Sequence, residues 1–197
     1  MKKYNDLATP RAPVFDVIER TMMQAHIITG TASFGIHHQL RYAMLVLHTL
    51  LGEGMSSRLF QNIREKYGFA YSVYSFLNFL SDTSTFGVYI ATDEKHIEKS
   101  LALTQREMKK LITKPISKQE LKQTQMQLKG TMMLGLESMS NRMMRLGGDE
   151  LYFGEHTSLS TVSKRIDEVT VESVFEAAQK MIDIDNFSTV VLKPEEK

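Results

Sequence analysis

Leu51 to Ser75 reads LGEGMSSRLFQNIREKYGFAYSVYS, and these 25 residues decide the fold. Gly52 is expected to end a preceding helix, because glycine takes the left-handed capping conformation without steric penalty. Ser56 or Ser57 is placed to cap a short helix by accepting bonds from its free backbone amides. Leu59, Phe60 and Ile63 give that helix an apolar face, and Gly68 stops it. From Ala70 the chain turns aromatic and β-branched, the composition of a strand.

Upstream, Leu40, Ala43, Met44, Leu47 and Leu51 recur at helical spacing, so the helix that Gly52 ends begins near Leu40. Val14 to Ile28 is β-branched and apolar, one bent strand or two short ones, and Gly30 to Gly35 breaks that pattern. Residues 1–13 carry two prolines and scattered charge, which reads as a linker or lead-in. Downstream, Ala70–Leu80 and Thr85–Ala91 read as a hairpin around a polar turn. Asp93 and Glu94 suit a helix N-terminus. Ile97, Leu101, Thr104, Met108 and Leu111 mark the helix that follows.

Ser117-Lys118-Gln119-Glu120 is a capping box. It opens a long helix whose face runs through Leu121, Leu128, Met132, Met139, Met143 and Leu146. A bend is expected at Gly130 or Gly135, and a stop at Gly147-Gly148. Helices near Leu159–Ile166 and Val171–Ile182 follow, the second capped by Thr170, and a strand over Phe187–Leu192 ends the chain. Strands lie early, in the middle and last, with helices grouped between them. That order predicts an α+β class over residues 14–197, an antiparallel or mixed sheet of about four to five strands covered by helices.

A net charge of +1 gives no field to recruit nucleic acid or an anionic membrane. Hydrophobic residues at 42% and charged residues at 24% are ordinary for a globular domain. No stretch approaches the roughly 20 apolar residues of a membrane span, and no signal peptide is visible. Zero cysteines exclude disulfides and thiolate metal sites and leave the compartment open. The thirteen methionines are expected as adaptable core filler. Arg142-Met143-Met144-Arg145 reads as alternating helix faces. Phosphate loops, nucleophile elbows and aromatic-basic nucleic-acid patterns are missing.

A zinc hydrolase needs two imidazoles and a carboxylate converging on one ion. Of His26, His37, His38, His48, His96 and His156, none has a histidine four residues away or a glutamate at the third position. No metal ligand is assigned in this chain.

The central stretch resembles the pitrilysin/insulinase family of zinc peptidases, which includes the mitochondrial processing peptidases. The matching residues are Leu51-Gly52, Gly54, Ser56 to Phe60, Ile63 to Lys66, Gly68 and Ala70 to Ser72. Glu53 stands where the family often has glycine, and Phe69 where leucine is usual. The order of elements extends the resemblance over nearly all of the chain, to the family's second, zinc-free half.

The resemblance implies that an N-terminal half holds zinc through H-x-x-E-H, and that the two halves close around a peptide. Arg64 and Tyr71 correspond to an arginine and a tyrosine, seven residues apart, that point across the chamber towards that zinc. Arg64 offers a charged fork and Tyr71 a hydroxyl, donors able to hold a peptide carbonyl or an oxyanion. Arg58 is read as structural, holding loop or chain-end carbonyls. Dimers are common in the family. The alternative is a non-catalytic scaffold or regulatory subunit of the same family.

Overall fold

The hairpin expected after Gly68 is the spine of the sheet. β3 (Ala70–Phe79) pairs antiparallel with β4 (Thr83–Thr92) along their whole length. The structure, a computed structural model, describes residues 12–195. The lead-in expected over residues 1–13 therefore falls almost wholly outside the described residues. β4 also pairs antiparallel with β2 (Ala25–Phe34), β2 with β5 (Ser188–Pro194), and β5 runs parallel to β1 (Phe15–Arg20). Among the described residues this gives one mixed five-stranded sheet in the order β1-β5-β2-β4-β3.

Helices cover one face of it. α1 (Arg41–Gly52) lies against β3 and carries the centre of the core through Met44, Leu47 and Leu51. α2 (Ile97–Thr113), α5 (Leu159–Asp167) and α6 (Val171–Met181) add Met108, Leu111, Ile166, Ala177 and Met181. α3 (Lys118–Gly135) and α4 (Met139–Phe153) complete the helical layer. The mixed α+β reading holds. No helix among the described residues is long and apolar enough to cross a membrane.

Local signals held where a side chain meets its own backbone. Ser117 Oγ accepts from the Glu120 amide at 3.1 Å, and Glu120 Oε2 accepts from the Ser117 amide at 3.0 Å. Thr170 caps α6 by accepting from the Ser173 amide. Burial pushes the Glu120 carboxyl up, but the Ser117 amide and hydroxyl and the Arg58 guanidinium outweigh it and hold Glu120 below its ordinary value. Arg58 Nη2 donates to Glu120 at 2.7 Å, so its partner is this carboxylate rather than the loop carbonyls expected.

A depressed carboxylate stabilises the fold above its unfolded pKa, about 4.3, and that stability is lost as pH falls through the folded value. Glu120 is more than a third exposed, so with solvent screening Glu120→Ala should destabilise the chain by no more than about 1 kcal/mol at pH 7. Urea melts of both proteins should converge in acid, and a gap that persists at pH 2 would remove the charge from the account.

Several expectations give way to contacts distant in sequence. Gly30 does not break a strand; it lies inside β2 opposite Gly87, where an added Cβ would sit 2.8 Å from the Phe86 carbonyl oxygen. Gly52 does not cap in the left-handed region, which among the described residues is occupied by Gly54, Gly68 and Gly154. Neither Ser56 nor Ser57 caps the short helix. Ser56 Oγ donates to Gln127 Oε1 and Ser57 Oγ to the Gly54 carbonyl.

The long helix divides at Leu136–Ser138, where Ser138 caps α4. Gly147-Gly148 lies within α4, and Gly154, at φ +67°, ends it. β5 also runs on to Pro194, possible on a strand paired there with β1. The methionines are not mainly core filler: Met44, Met108 and Met181 are buried, but seven of the thirteen are exposed.

Candidate functional site

Ser57 to Tyr71 forms a folded arm anchored by its apolar residues. Leu59 and Ile63 are fully buried. Phe60–Glu65 winds as a π-helix, one residue wider per turn than an α-helix, a form that clusters at functional sites. Its exit is widened to match: the Gly68 amide donates to the Arg64 carbonyl and the Phe69 amide to the Ile63 carbonyl. Gly68, at φ +63°, makes the reversal. Phe69 then stacks between Tyr67 and His96, with centroids at 5.4 and 4.4 Å, and its carbonyl accepts from the Thr92 hydroxyl.

Arg64 and Tyr71 stand on either side of this clamped turn. Arg64 is exposed in the last turn of the π-helix, where a cation complements the helix C-terminus. Its guanidinium lies over the Phe60 ring, 5.1 Å from the centroid, and has no ion-pair partner among the described residues. Tyr71 sits at a β-bulge: Ala70 pairs with Thr92 and Ser72 with Ala91, leaving Tyr71 outside the ladder. Bulges re-aim side chains and are common beside active sites.

The Tyr71 side chain is 56% exposed, and its hydroxyl donates to Asp93 Oδ1 at 2.8 Å. That bond and the Asp93 charge raise the Tyr71 pKa, so the hydroxyl keeps its proton at neutral pH. No hydrogen bond joins Arg64 to Tyr71. What they share is the turn.

Sequence reasoning missed the open face of the sheet beyond this arm. The register aligns Val190, Ile28, Tyr89 and Tyr74 across four strands. Ile28, Tyr74 and Val190 are exposed. Tyr89 packs on Tyr74 with centroids 4.9 Å apart, and its hydroxyl bonds His26 Nδ1 at 2.6 Å. The period-two alternation of Tyr74 against buried Val73 and Ser75 was the available signal. The Glu53 position is also accounted for: its carboxylate accepts from Thr49 and its carbonyl from Gln127, so the loop is held without glycine there.

The histidines are engaged separately. His38 accepts from the Leu40 amide and stacks on Phe34, and its pKa is lowered chiefly by burial. Burial likewise lowers that of His48, which bonds Ser75. His156 bonds Asp149, His37 meets the Phe153 edge, and His96 stacks on Phe69. Among the described residues no three His, Cys, Asp or Glu side chains converge, so these residues do not fit a zinc ion.

Residues 2–128, which include the whole arm, match the family described as the peptidase M16 inactive domain. The chain belongs to that family. An uncharacterized zinc protease of Mycobacterium bovis is 36% identical over 183 residues, covering 93% of this chain and 42% of the relative. One from Bacillus subtilis is 33% identical over 171 residues, covering 87% of this chain and 42% of the relative. Among solved structures, an M16 inactive domain from Pseudomonas fluorescens superposes with a TM-score of 0.82 at 23% identity, over 93% of this chain and 44% of that one. This M16 chain thus spans less than half the length of the relatives it matches.

Proposed function

We propose that this chain is the zinc-free, substrate-binding half of a zinc metallopeptidase that hydrolyses peptides or unfolded segments in a closed chamber. Its partner is an N-terminal half that holds the zinc, fused to it or separate. The observation that carries the reading is the pair of exposed donors, Arg64 and Tyr71, presented from the two sides of one clamped turn, Tyr71 with its hydroxyl resting on Asp93. The length of the Mycobacterium bovis and Bacillus subtilis relatives, both named as uncharacterized zinc proteases, supports a second half of similar size.

In this reading the Arg64 fork donates charge-assisted bonds to a peptide carbonyl or to the oxyanion formed from it. The Tyr71 hydroxyl leaves Asp93 and donates to the oxygen on which negative charge develops. The exchange is inexpensive, since the Tyr71–Asp93 bond lies at the surface, where water competes for both groups. The open face through Ile28, Tyr89 and Tyr74 forms a wall of the chamber.

A scaffold role is the second reading. One observation favours it: a chain of Complex III from Candida albicans superposes with a TM-score of 0.80 at 18% identity. Complementation separates the two. Alone, the chain should neither hold stoichiometric zinc nor cleave a quenched fluorescent peptide, and adding the N-terminal half should produce zinc-dependent cleavage. A zinc-loaded assembly that cleaves no peptide, or whose N-terminal half lacks H-x-x-E-H, would favour the scaffold.

A further inference from the structure

β1 is the strand of the sheet with no buried residue: every position of Phe15–Arg20 is exposed. Phe15, Val17 and Ile18 are exposed by 65%, 50% and 36%. The strand lies at one end of the sheet and pairs only with β5, so among the described residues its outer edge has no partner. Its register with β5 is unbroken, and it contains neither proline nor lysine. Of the usual guards of an exposed edge, only charge is present.

The backbone fixes what that edge offers. The Thr189 amide donates to the Val14 carbonyl, and the Glu195 amide to the Arg20 carbonyl. In a ladder, alternate residues turn both amide and carbonyl to the same neighbour, so Val14, Asp16, Ile18 and Arg20 serve β5. Phe15, Val17 and Glu19 therefore turn their N–H and C=O groups outward.

Charge selects the occupant. Glu19 is held by Lys193 at 3.0 Å, whereas Asp16 and Arg20 have no ion-pair partner among the described residues. These two stand on one face of the strand, about 13 Å apart and too distant to meet each other. A two-fold axis sets two copies of one strand antiparallel. Outward residues must then face outward residues, which excludes Asp16 opposite Glu19. Centring the pair on Asp16 opposes two aspartates, and centring it on Val17 leaves Asp16 opposite Ile18. Centring it on Ile18 sets Asp16 of each copy opposite Arg20 of the other.

We propose that β1 is the docking edge for a second copy of this chain, paired antiparallel about Ile18 with two reciprocal Asp16–Arg20 ion pairs. The two five-stranded sheets become one. Asp16 and Ile18 lie level with Val190 and Leu192 of β5, so the open faces join on the same side. Six residues of edge bury little surface, which places the dimer in the weak, concentration-dependent class. The inference does not depend on the roles of Arg64 and Tyr71.

The chain has no cysteine, so Ile18→Cys and Phe15→Cys each introduce a single thiol. Ile18 meets its own copy in a non-hydrogen-bonded pair, with Cα atoms about 4.5 Å apart and within disulfide reach. The two Phe15 positions would lie about 20 Å apart. Under a mild oxidant Ile18→Cys should form a disulfide dimer at least about tenfold faster than Phe15→Cys, although Phe15 is the more exposed.

Sedimentation at rising concentration gives the second readout. Asp16→Arg and Arg20→Asp should each weaken the dimer roughly tenfold, because two attractive pairs become repulsive. Combining the two substitutions should return it to within about threefold of the parent. All variants should melt with the parent when dilute, since the altered side chains are exposed.

A chain that stays monomeric at every concentration overturns the proposal. So does a dimer that the charge swap fails to restore, or one that crosslinks faster through Phe15→Cys. A monomer whose β1 amides are protected from hydrogen exchange by an added peptide would assign the edge to substrate, and that too overturns the second copy.

Discussion

Arg64→Ala in the assembled protein is expected to lower peptide turnover by about 10²–10³-fold, the usual effect of removing one donor from a developing oxyanion. Arg64→Lys should be impaired as well, because lysine keeps the charge but loses the planar fork. Tyr71→Phe removes a single hydroxyl while the ring stays in place, and it should fall in the same range. None of the three should shift the melting temperature much. Arg64 is exposed and without an ion-pair partner among the described residues, and the Tyr71–Asp93 bond lies at the surface.

Zinc content should not change, since neither residue is assigned as a ligand. Turnover, thermal melts and metal analysis on the same four proteins decide the matter. A fully folded Arg64→Ala assembly with normal turnover would sink the assignment. Lost activity that tracks a lowered melting temperature would instead make the arginine structural.

The turn that separates Arg64 from Tyr71 is legible because its geometry is local. Seven residues, one glycine reversal and a helix-to-strand change can all be read from Ile63 to Ser72. The bulge that frees Tyr71 could not be read, because it is a mismatch against β4, and neither could Asp93, 22 residues away. The same division runs through the fold. The capping box at Ser117 and the cap at Thr170 are short-range and legible in the sequence.

Gly30 looks like a strand break in the sequence because its reason is Gly87 on a neighbouring strand. Ser56 and Ser57 resemble caps in the sequence, but a π-helix follows a loop tied to Gln127 on α3. On α4 the periodicity was right and the burial wrong. A period of 3.6 shows that one face is apolar, and it is silent on whether the chain itself buries that face.

Gly52 gives the sharpest test of that distinction. Its sequence position suggested a left-handed cap, which would tolerate little besides glycine or asparagine. The structure gives another reason: a Cβ there would lie 2.2 Å from the Ser75 amide nitrogen and 2.5 Å from Ser75 Oγ. Ser75 cannot retreat easily, since it is buried in β3 and its hydroxyl bonds the His48 carbonyl at 3.0 Å and Nδ1 at 2.8 Å.

Even one methyl must therefore lift the end of α1 away from β3, where Leu50, Leu51 and Val73 meet the core. Gly52→Ala should cost about 3 kcal/mol, the upper part of the overpacking range. Gly68→Ala, in open space but at φ +63°, should cost about 1 kcal/mol. Gly148→Ala, helical and unobstructed, should stabilise the isolated chain by about 0.5–1 kcal/mol. Urea melts of the three variants and the parent should rank Gly148→Ala, parent, Gly68→Ala, Gly52→Ala from most to least stable. If Gly52→Ala melts with the parent, the close approach of α1 to β3 is wrong, and with it the contact that positions the arm bearing Arg64 and Tyr71.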